Sequence, residues 1–149
     1  MIAVLQRVSR AEVSVEGSPI SSIGYGLLIL FCMEVDDEEA DMNLMVKKCS
    51  SLRIFPDAEG VMNLSVKDVA GEILCVSQFT LAASVRKGNR PSYIAAARPE
   101  VASPAYDRFC RLLSEAAGTT VRKGIFGADM QVSLVNDGPV TIIIDTHAK

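Results

Sequence analysis

Residues 26–52 read GLLILFCMEVDDEEADMNLMVKKCSSL, and the period of the apolar positions changes partway through. Leu27 to Val35 is nearly all apolar, which suits a strand buried on both faces. Asp36, followed three residues later by Glu39, resembles a capping box with Asp in place of Ser or Thr. Met42, Met45, Val46, Cys49 and Leu52 then recur at helical spacing, so residues 37–52 read as an amphipathic helix.

Upstream of this switch the chain reads as strand. Met1 to Ser9 carries Ile2, Val4, Leu5 and Val8, and Ala11, Val13 and Val15 alternate with Glu12, Ser14 and Glu16. Gly17-Ser18-Pro19 signals a turn, Ile20 to Ile23 a short strand, and Gly24-Tyr25-Gly26 another turn. Downstream, Pro56 to Gly60 is a turn and Glu72 to Phe79 a strand. Lys87-Gly88-Asn89-Arg90-Pro91 is loop chemistry. Ser103-Pro104 suits an N-cap with proline at the first helical position. Tyr106, Phe109, Cys110, Leu113, Ala116 and Ala117 share one helix face that ends at Gly118. Thr119 to Lys123, Met130 to Val135 and Val140 to Asp145 read as strands. Strands cluster at both ends of the chain around two helices. The expected class is α+β, with a mainly antiparallel, bent sheet, partly closed like a barrel, packed with the two helices. Closure limits exposed edges.

Composition narrows the function. The 149 residues are 49% hydrophobic and 22% charged, which excludes a disordered chain and predicts one domain spanning residues 1–149. The apolar runs fall short of the ~20 residues of a membrane span, and the first nine residues lack the apolar core of a signal peptide. A cytoplasmic protein with no membrane partner is expected. A net charge of −3 argues against a broad nucleic-acid interface, which needs a basic domain. The four cysteines form no CxxC pair and the one histidine is His147, so neither a metal site nor a cofactor is expected.

Two segments break the strand pattern. Ser77-Gln78-Phe79-Thr80 ends an apolar strand and leads into small residues. Its hydroxyls suit the satisfaction of neighbouring backbone at a strand end. They equally suit a pocket where backbone N–H groups leaving the sheet meet a ligand. Asn136-Asp137-Gly138-Pro139 reads first as a tight hairpin turn, which Asp-Gly favours. Proline directly after the glycine fits that turn poorly, because it lacks the N–H that closes the ladder. A cis Gly–Pro bond is the other reading, and it would turn both flanking carbonyls to one side. A Ser-His-Asp hydrolase is disfavoured, since Ser77 and Thr80 lack an imidazole partner. Arg86, Lys87, Arg90 and Arg122 suit solvated surface or a small phosphate-contacting lip.

Together SQFTL (Ser77 to Leu81) and NDGPVT (Asn136 to Thr141) resemble the D-aminoacyl-tRNA deacylase family. Also similar are Gln6-Arg7-Val8, Gly24-x-Gly26-Leu27-Leu28, Arg53-Ile54-Phe55-x-Asp57 and Met62-Asn63-Leu64-Ser65. Asn89-Arg90-Pro91-Ser92 and Phe126 to Val132 extend the similarity, so that it spans Met1 to Asp145. Tyr93 stands where the family often has Phe, and residues 82–87 are variable.

The resemblance implies hydrolysis of the ester between a D-amino acid, or glycine, and the 3′-terminal ribose of tRNA. It implies a homodimer with its active sites at the subunit interface. The partner is the 3′ aminoacyl end of tRNA, with no metal or cofactor. Ser77, Gln78, Phe79 and Thr80 are then the expected catalytic residues. Gly138 and Pro139, joined by a cis bond, reach into the other subunit's pocket and exclude L-amino acids. Asn136, Arg7 and Met130 are expected to support substrate binding and this selection, with Arg7 holding the loop through its carbonyls. Arg86, Lys87, Arg90 and Arg122 are expected to contact RNA. The alternatives are an editing domain of the same fold that clears a mischarged L-aminoacyl-tRNA, and a non-catalytic module that binds RNA ends.

Overall fold

A computed structural model describes all residues from 1 to 149. Strand β1 (Ile2–Val15) is the spine of the main sheet. One edge of β1 pairs with two antiparallel strands in succession. Its first half, Ile2 to Val8, lies against β3 (Gly26–Cys32), and Ala11 to Val15 lies against β2 (Ser18–Ile23). The other edge pairs antiparallel with β8 (Gln131–Asp145), from Ile2↔Asp145 to Ser14↔Gln131. Strand β6 (Glu72–Ser77) then pairs parallel to β3, and β7 (Val121–Lys123) parallel to β6. The sheet is therefore mainly antiparallel, with two parallel pairs.

The far edge curls back onto the start. The Ser21 hydroxyl donates to the Lys123 carbonyl at 2.7 Å, and Arg122 Nη1 donates to the Ser22 carbonyl at 2.8 Å. Side-chain bonds between β2 and β7 thus bring a twisted sheet nearly to barrel closure. Outside the barrel, β4 (Phe55–Pro56) and β5 (Met62–Leu64) form a small antiparallel hairpin around the Pro56–Gly60 turn.

The central strands are buried on both faces, as the run from Leu27 requires. Leu27, Ile29 and Phe31 of β3 and Ile73 and Cys75 of β6 face helices α1 (Glu39–Ser51) and α2 (Pro99–Ala117). The alternate residues Leu28, Leu74 and Val76 fill the barrel with Val8, Val13 and Ile23. Helix α1 buries Met42, Met45 and Cys49, and α2 buries Tyr106, Phe109, Cys110, Leu113 and Ala117. Phe109 stacks on Phe31 with ring centroids 4.3 Å apart. Burying one such aromatic side chain contributes ~1.5–3 kcal/mol.

Several boundaries differ from the sequence reading, among them the following. The first two predicted strands are one, because the ladder with β8 passes the irregularity at Ser9 as a bulge and resumes at Arg10↔Val135. Helix α1 is boxed two residues later than Asp36: the Glu38 N–H donates to the Asp41 carboxylate at 2.8 Å. Helix α2 begins at Pro99 rather than Pro104, since Pro99 already occupies the first turn, where no N–H is needed. Strand β6 ends at Ser77, and Phe79 opens a 3-10 turn, Phe79–Ala82.

Candidate active site

The parallel strands β3 and β6 end side by side, and their carboxyl ends open into a cavity of about 620 Å³. Phe31, Cys32 and Met33 leave β3 along one wall, while Val76, Ser77, Gln78 and Phe79 leave β6 along the next. The start of α2 supplies Arg98, Pro99 and Ala102, and the segment from Phe126 to Met130 completes the ring. Most of the lining is apolar, with polar side chains from Ser77 and Gln78 at the end of β6 and from Arg98 and Asp129 elsewhere in the ring, the pattern of a small-ligand site.

At that strand end the Gln78 N–H still donates to the Phe31 carbonyl at 2.7 Å. The chain then tightens into the 3-10 turn, and Leu81 and Ala83 donate to the carbonyls of Gln78 and Thr80. The first N–H groups of a helical turn have no acceptor inside it. Here those donors belong to Phe79 and Thr80. Gln78 Nε2 donates to the Thr80 hydroxyl oxygen at 2.5 Å, so the neighbour of that hydroxyl is an amide rather than a base. Phe79 is exposed and meets Tyr93 edge to face, with centroids 5.2 Å apart.

Arg98 and Asp129 supply the charged side chains of the lining, while Cys32 and Tyr106 are poor acids at neutral pH. Burial pushes the Cys32 thiol up to about 11, which keeps it protonated. Burial also raises the Tyr106 phenol well above its ordinary value, and its hydroxyl donates to the Cys75 carbonyl at 2.6 Å. His147 lies elsewhere, 2.7 Å from Asp37 Oδ1. With Glu34 and Asp37 it forms a cluster whose ligating atoms lie within 4.8 Å, a grouping hidden in the sequence because the third residue comes from the far end of the chain. The Met1 ammonium pairs with both carboxylates, at 2.8 Å to Glu34, which already offsets their charge.

Asn136 to Val140 forms no hairpin. Strand β8 continues through it, and Val8↔Asn136 and Gln6↔Thr141 bracket a bulge in which Asp137 to Val140 stand opposite the single residue Arg7. The Gly138–Pro139 bond is cis. Gly138 has φ +152°, and an added Cβ would lie 2.7 Å from the Val140 nitrogen, so only glycine fits there. Buried Arg7 crosses beneath the bulge. It donates from Nε to the Asp137 carbonyl at 2.9 Å and from Nη1 to the Ile54 carbonyl at 2.7 Å, and Nε lies 3.3 Å from Asp137 Oδ2. Asn136 braces the other end: Oδ1 accepts from the Val140 N–H at 2.8 Å, and Nδ2 reaches the Val140 carbonyl and the Thr141 hydroxyl.

Two groups therefore form. Ser77, Gln78, Phe79 and Met130 line the cavity, with Thr80 next to them on the turn. Arg7, Asn136, Gly138 and Pro139 form a second group that does not line the cavity of their own chain. Arg86, Lys87 and Arg90 are exposed on a loop closed by reciprocal hydrogen bonds between Ser84 and Ser92. Arg122 stands apart from them, bonded to Ser22 and 3.5 Å from Glu72. Sequence reasoning missed Cys32, Tyr93, Arg98 and Phe126 as cavity residues. Their signal was only the loop composition after two strands and before a helix.

A family model described as D-Tyr-tRNA(Tyr) deacylase matches residues 4–145. A D-aminoacyl-tRNA deacylase of Porphyromonas gingivalis is 62% identical, covering 100% of this chain and 99% of its own length. One of Bacteroides thetaiotaomicron is 56% identical with the same coverage. A solved structure described as c-Myc DNA Unwinding Element Binding Protein superposes with a TM-score of 0.93 at 43% identity, covering 99% of this chain and 100% of that one. A second, described as a probable eukaryotic D-amino acid tRNA deacylase, shares the fold with a TM-score of 0.80 at 21% identity, covering 96% of this chain and 97% of its own. With the family signature and the relatives both running the length of the chain, this protein belongs to the D-aminoacyl-tRNA deacylase family, a family of hydrolases.

Proposed function

We propose that residues 1–149 work as one unit that hydrolyses the ester of D-aminoacyl-tRNA, and of glycyl-tRNA, to free amino acid and tRNA. The observation that carries this reading is the coincidence of signature and cavity: Ser77, Gln78 and Phe79 of the family motif line the pocket into which β3 and β6 open.

An aminoacyl ester is already activated, so the chemistry required is modest. Water adds to the ester carbonyl, and the resulting oxyanion is stabilised by the N–H groups of Phe79 and Thr80. Collapse expels the ribose 3′-oxygen, which leaves with a proton as the alcohol. The cavity holds no imidazole, and the Thr80 hydroxyl faces an amide. In this reading the neighbouring 2′-hydroxyl of the substrate helps activate the water, and no acyl-enzyme forms. Arg86, Lys87, Arg90 and Arg122 contribute weak phosphate contacts at the 3′ end.

Selection by handedness needs a wall that an L side chain strikes and a D side chain or glycine avoids. Gly138 and Pro139 are exposed and do not line their own cavity, so the wall belongs to a second copy's pocket in a homodimer. Strand β8 suits such an interface. It pairs on one side only, and it exposes Val135 and Ile143 on its outward face. Met130 packs in the cavity, and Arg7 holds the projecting loop. No helix is long and apolar enough to cross a membrane, and a tRNA substrate supports a cytoplasmic site of action.

Matched D- and L-aminoacyl-tRNAs test the reading. Rapid loss of the D-ester with survival of the L-ester is expected, and equal cleavage overturns it. The 43% identical structure is described as a DNA-binding protein, which favours a second reading, a non-catalytic module that binds nucleic-acid ends. Survival of the bound D-ester on prolonged incubation would select that alternative.

A further inference from the structure

We propose that Asn136 is a positioning residue whose side-chain amide stands in for a missing strand partner and so sets where Gly138 and Pro139 point. The inference rests on the reading of that pair as a wall for handedness, and it gives Asn136 a route through Val140 rather than through contact with the substrate.

The argument begins with the ladder. Between the paired positions Val8↔Asn136 and Gln6↔Thr141, β1 contributes one residue and β8 contributes four. Val140 therefore sits at the return of the bulge with no strand residue opposite it. An unpaired backbone group costs about as much as a lost hydrogen bond. Asn136 supplies both missing partners. Its Oδ1 accepts from the Val140 N–H at 2.8 Å and its Nδ2 donates to the Val140 carbonyl at 3.2 Å, which closes an amide-to-amide ring across four residues. Nδ2 also donates to the Thr141 hydroxyl oxygen at 3.1 Å. The orientation of the amide is decided by these partners: the Val140 N–H can only donate, so Oδ1 must face it, and Nδ2 faces two oxygens.

Arg7 ties the outgoing end of the bulge through the Asp137 carbonyl. Asn136 ties the returning end, so Gly138 and Pro139 are stapled on both sides. Only asparagine meets the need at this reach. Aspartate has the same shape but turns a second acceptor toward the Val140 carbonyl. Alanine leaves both Val140 groups without their partner.

The test uses full-length Asn136→Ala, Asn136→Asp and Thr141→Val, each assayed on matched D- and L-aminoacyl-tRNAs alongside thermal unfolding. For the two Asn136 variants we expect the D-over-L ratio of kcat/KM to fall about tenfold or more, the scale of a displaced reacting geometry. The loss should lie in kcat and in admission of the L-ester, with KM for the D-ester held within about twofold. Aspartate should fail as alanine does, because the donor and not the shape is lost. A folded Asn136→Ala or Asn136→Asp with the wild-type ratio overturns the proposal, as does full rescue by aspartate.

Should both Asn136 variants fail to fold, Thr141→Val removes one acceptor at an exposed position and is expected to lower the ratio about threefold; an unchanged ratio then overturns the proposal. Should the wild-type protein cleave neither ester, the reading of function fails by itself. The positioning role is then decided by a crystal structure of whichever variant folds: a moved Gly138–Pro139 pair supports it, and an unmoved pair overturns it.

Discussion

Two segments interrupt apolar strands with polar residues, and they do so in opposite ways. At Ser77–Thr80 the strand stops: β6 gives way to a 3-10 turn, and the residues line a cavity built by their own chain. At Asn136–Val140 the strand does not stop. Strand β8 throws out four residues, re-enters its register with β1, and leaves Gly138 and Pro139 exposed and away from their own cavity. The first segment lines a cavity that is complete in one chain. The second is rigidly made, held by Arg7 and Asn136, yet has nothing of its own chain to act on. Rigidity without a local target is what the proposed role of Gly138 and Pro139 in a second copy's pocket requires.

The sharpest way to break this comparison is Gly138→Ala. A Cβ there would lie 2.7 Å from the Val140 nitrogen and 2.8 Å from its Cγ2, at a φ that alanine avoids. Strain of roughly 1–3 kcal/mol and a displaced bulge are expected. Turnover of D-aminoacyl-tRNA should fall ~100-fold or more, measured against an otherwise folded protein by circular dichroism.

Next in size is Arg7→Ala. It strips the donor from the Ile54 carbonyl and from the Asp137 carbonyl. Leaving buried acceptors unpaired costs about 1–3 kcal/mol. Both the melting temperature and the D-over-L ratio should drop, whereas a substitution confined to the cavity side should move turnover and leave the bulge intact.

A smaller effect is expected from the triple change of Arg86, Lys87 and Arg90 to alanine. Affinity for aminoacyl-tRNA should weaken several-fold, and the slope of log affinity against log salt should shrink by about 2–3, roughly one for each phosphate no longer neutralised. A steep slope remaining in the triple variant would place the main RNA-binding surface elsewhere.

The smallest effect should come from Thr80→Ala. Its hydroxyl already accepts from Gln78 Nε2 and meets no base, while its backbone N–H is unaffected by the change. Turnover within about fivefold of wild type is expected in a single-turnover assay. Near-complete loss, or a trapped acyl-enzyme, would make Thr80 a nucleophile and overturn the water mechanism. A substrate ending in 2′-deoxyadenosine is the complementary measurement, and it should be hydrolysed much more slowly.

The two segments also differ in how far the sequence discloses them. The end of β6 is legible because an apolar run followed by Ser-Gln-Phe-Thr is a local pattern, though the 3-10 turn at Phe79 is set by tertiary context. The bulge is not legible, because Asn, Asp, Gly and Pro are the same residues that make a hairpin turn. Only pairing of both flanks to the same strand β1 shows that the chain continues. Helix α2 teaches the same lesson on a smaller scale. Pro99 and Pro104 both suit a first turn, and only the fold shows that the helix opens at Pro99, which with Arg98 lines the cavity.

Alternation and helical spacing along the chain were sufficient for the α+β class, the doubly buried strand from Leu27, the buried faces of both helices and the two polar segments, because each is a matter of near neighbours in sequence. Barrel closure through Ser21 and Arg122, the cavity at the ends of β3 and β6, the brace of Arg7 across to Ile54 and Asp137, and the meeting of Met1, Glu34, Asp37 and His147 were decided only in three dimensions. All of these pairings bridge long stretches of chain, and the Met1 ammonium reaches side chains at both Glu34 and Thr146. A hydrogen bond or an ion pair depends on distance and angle between groups, and along an unfolded chain neither is defined until the sheet has folded.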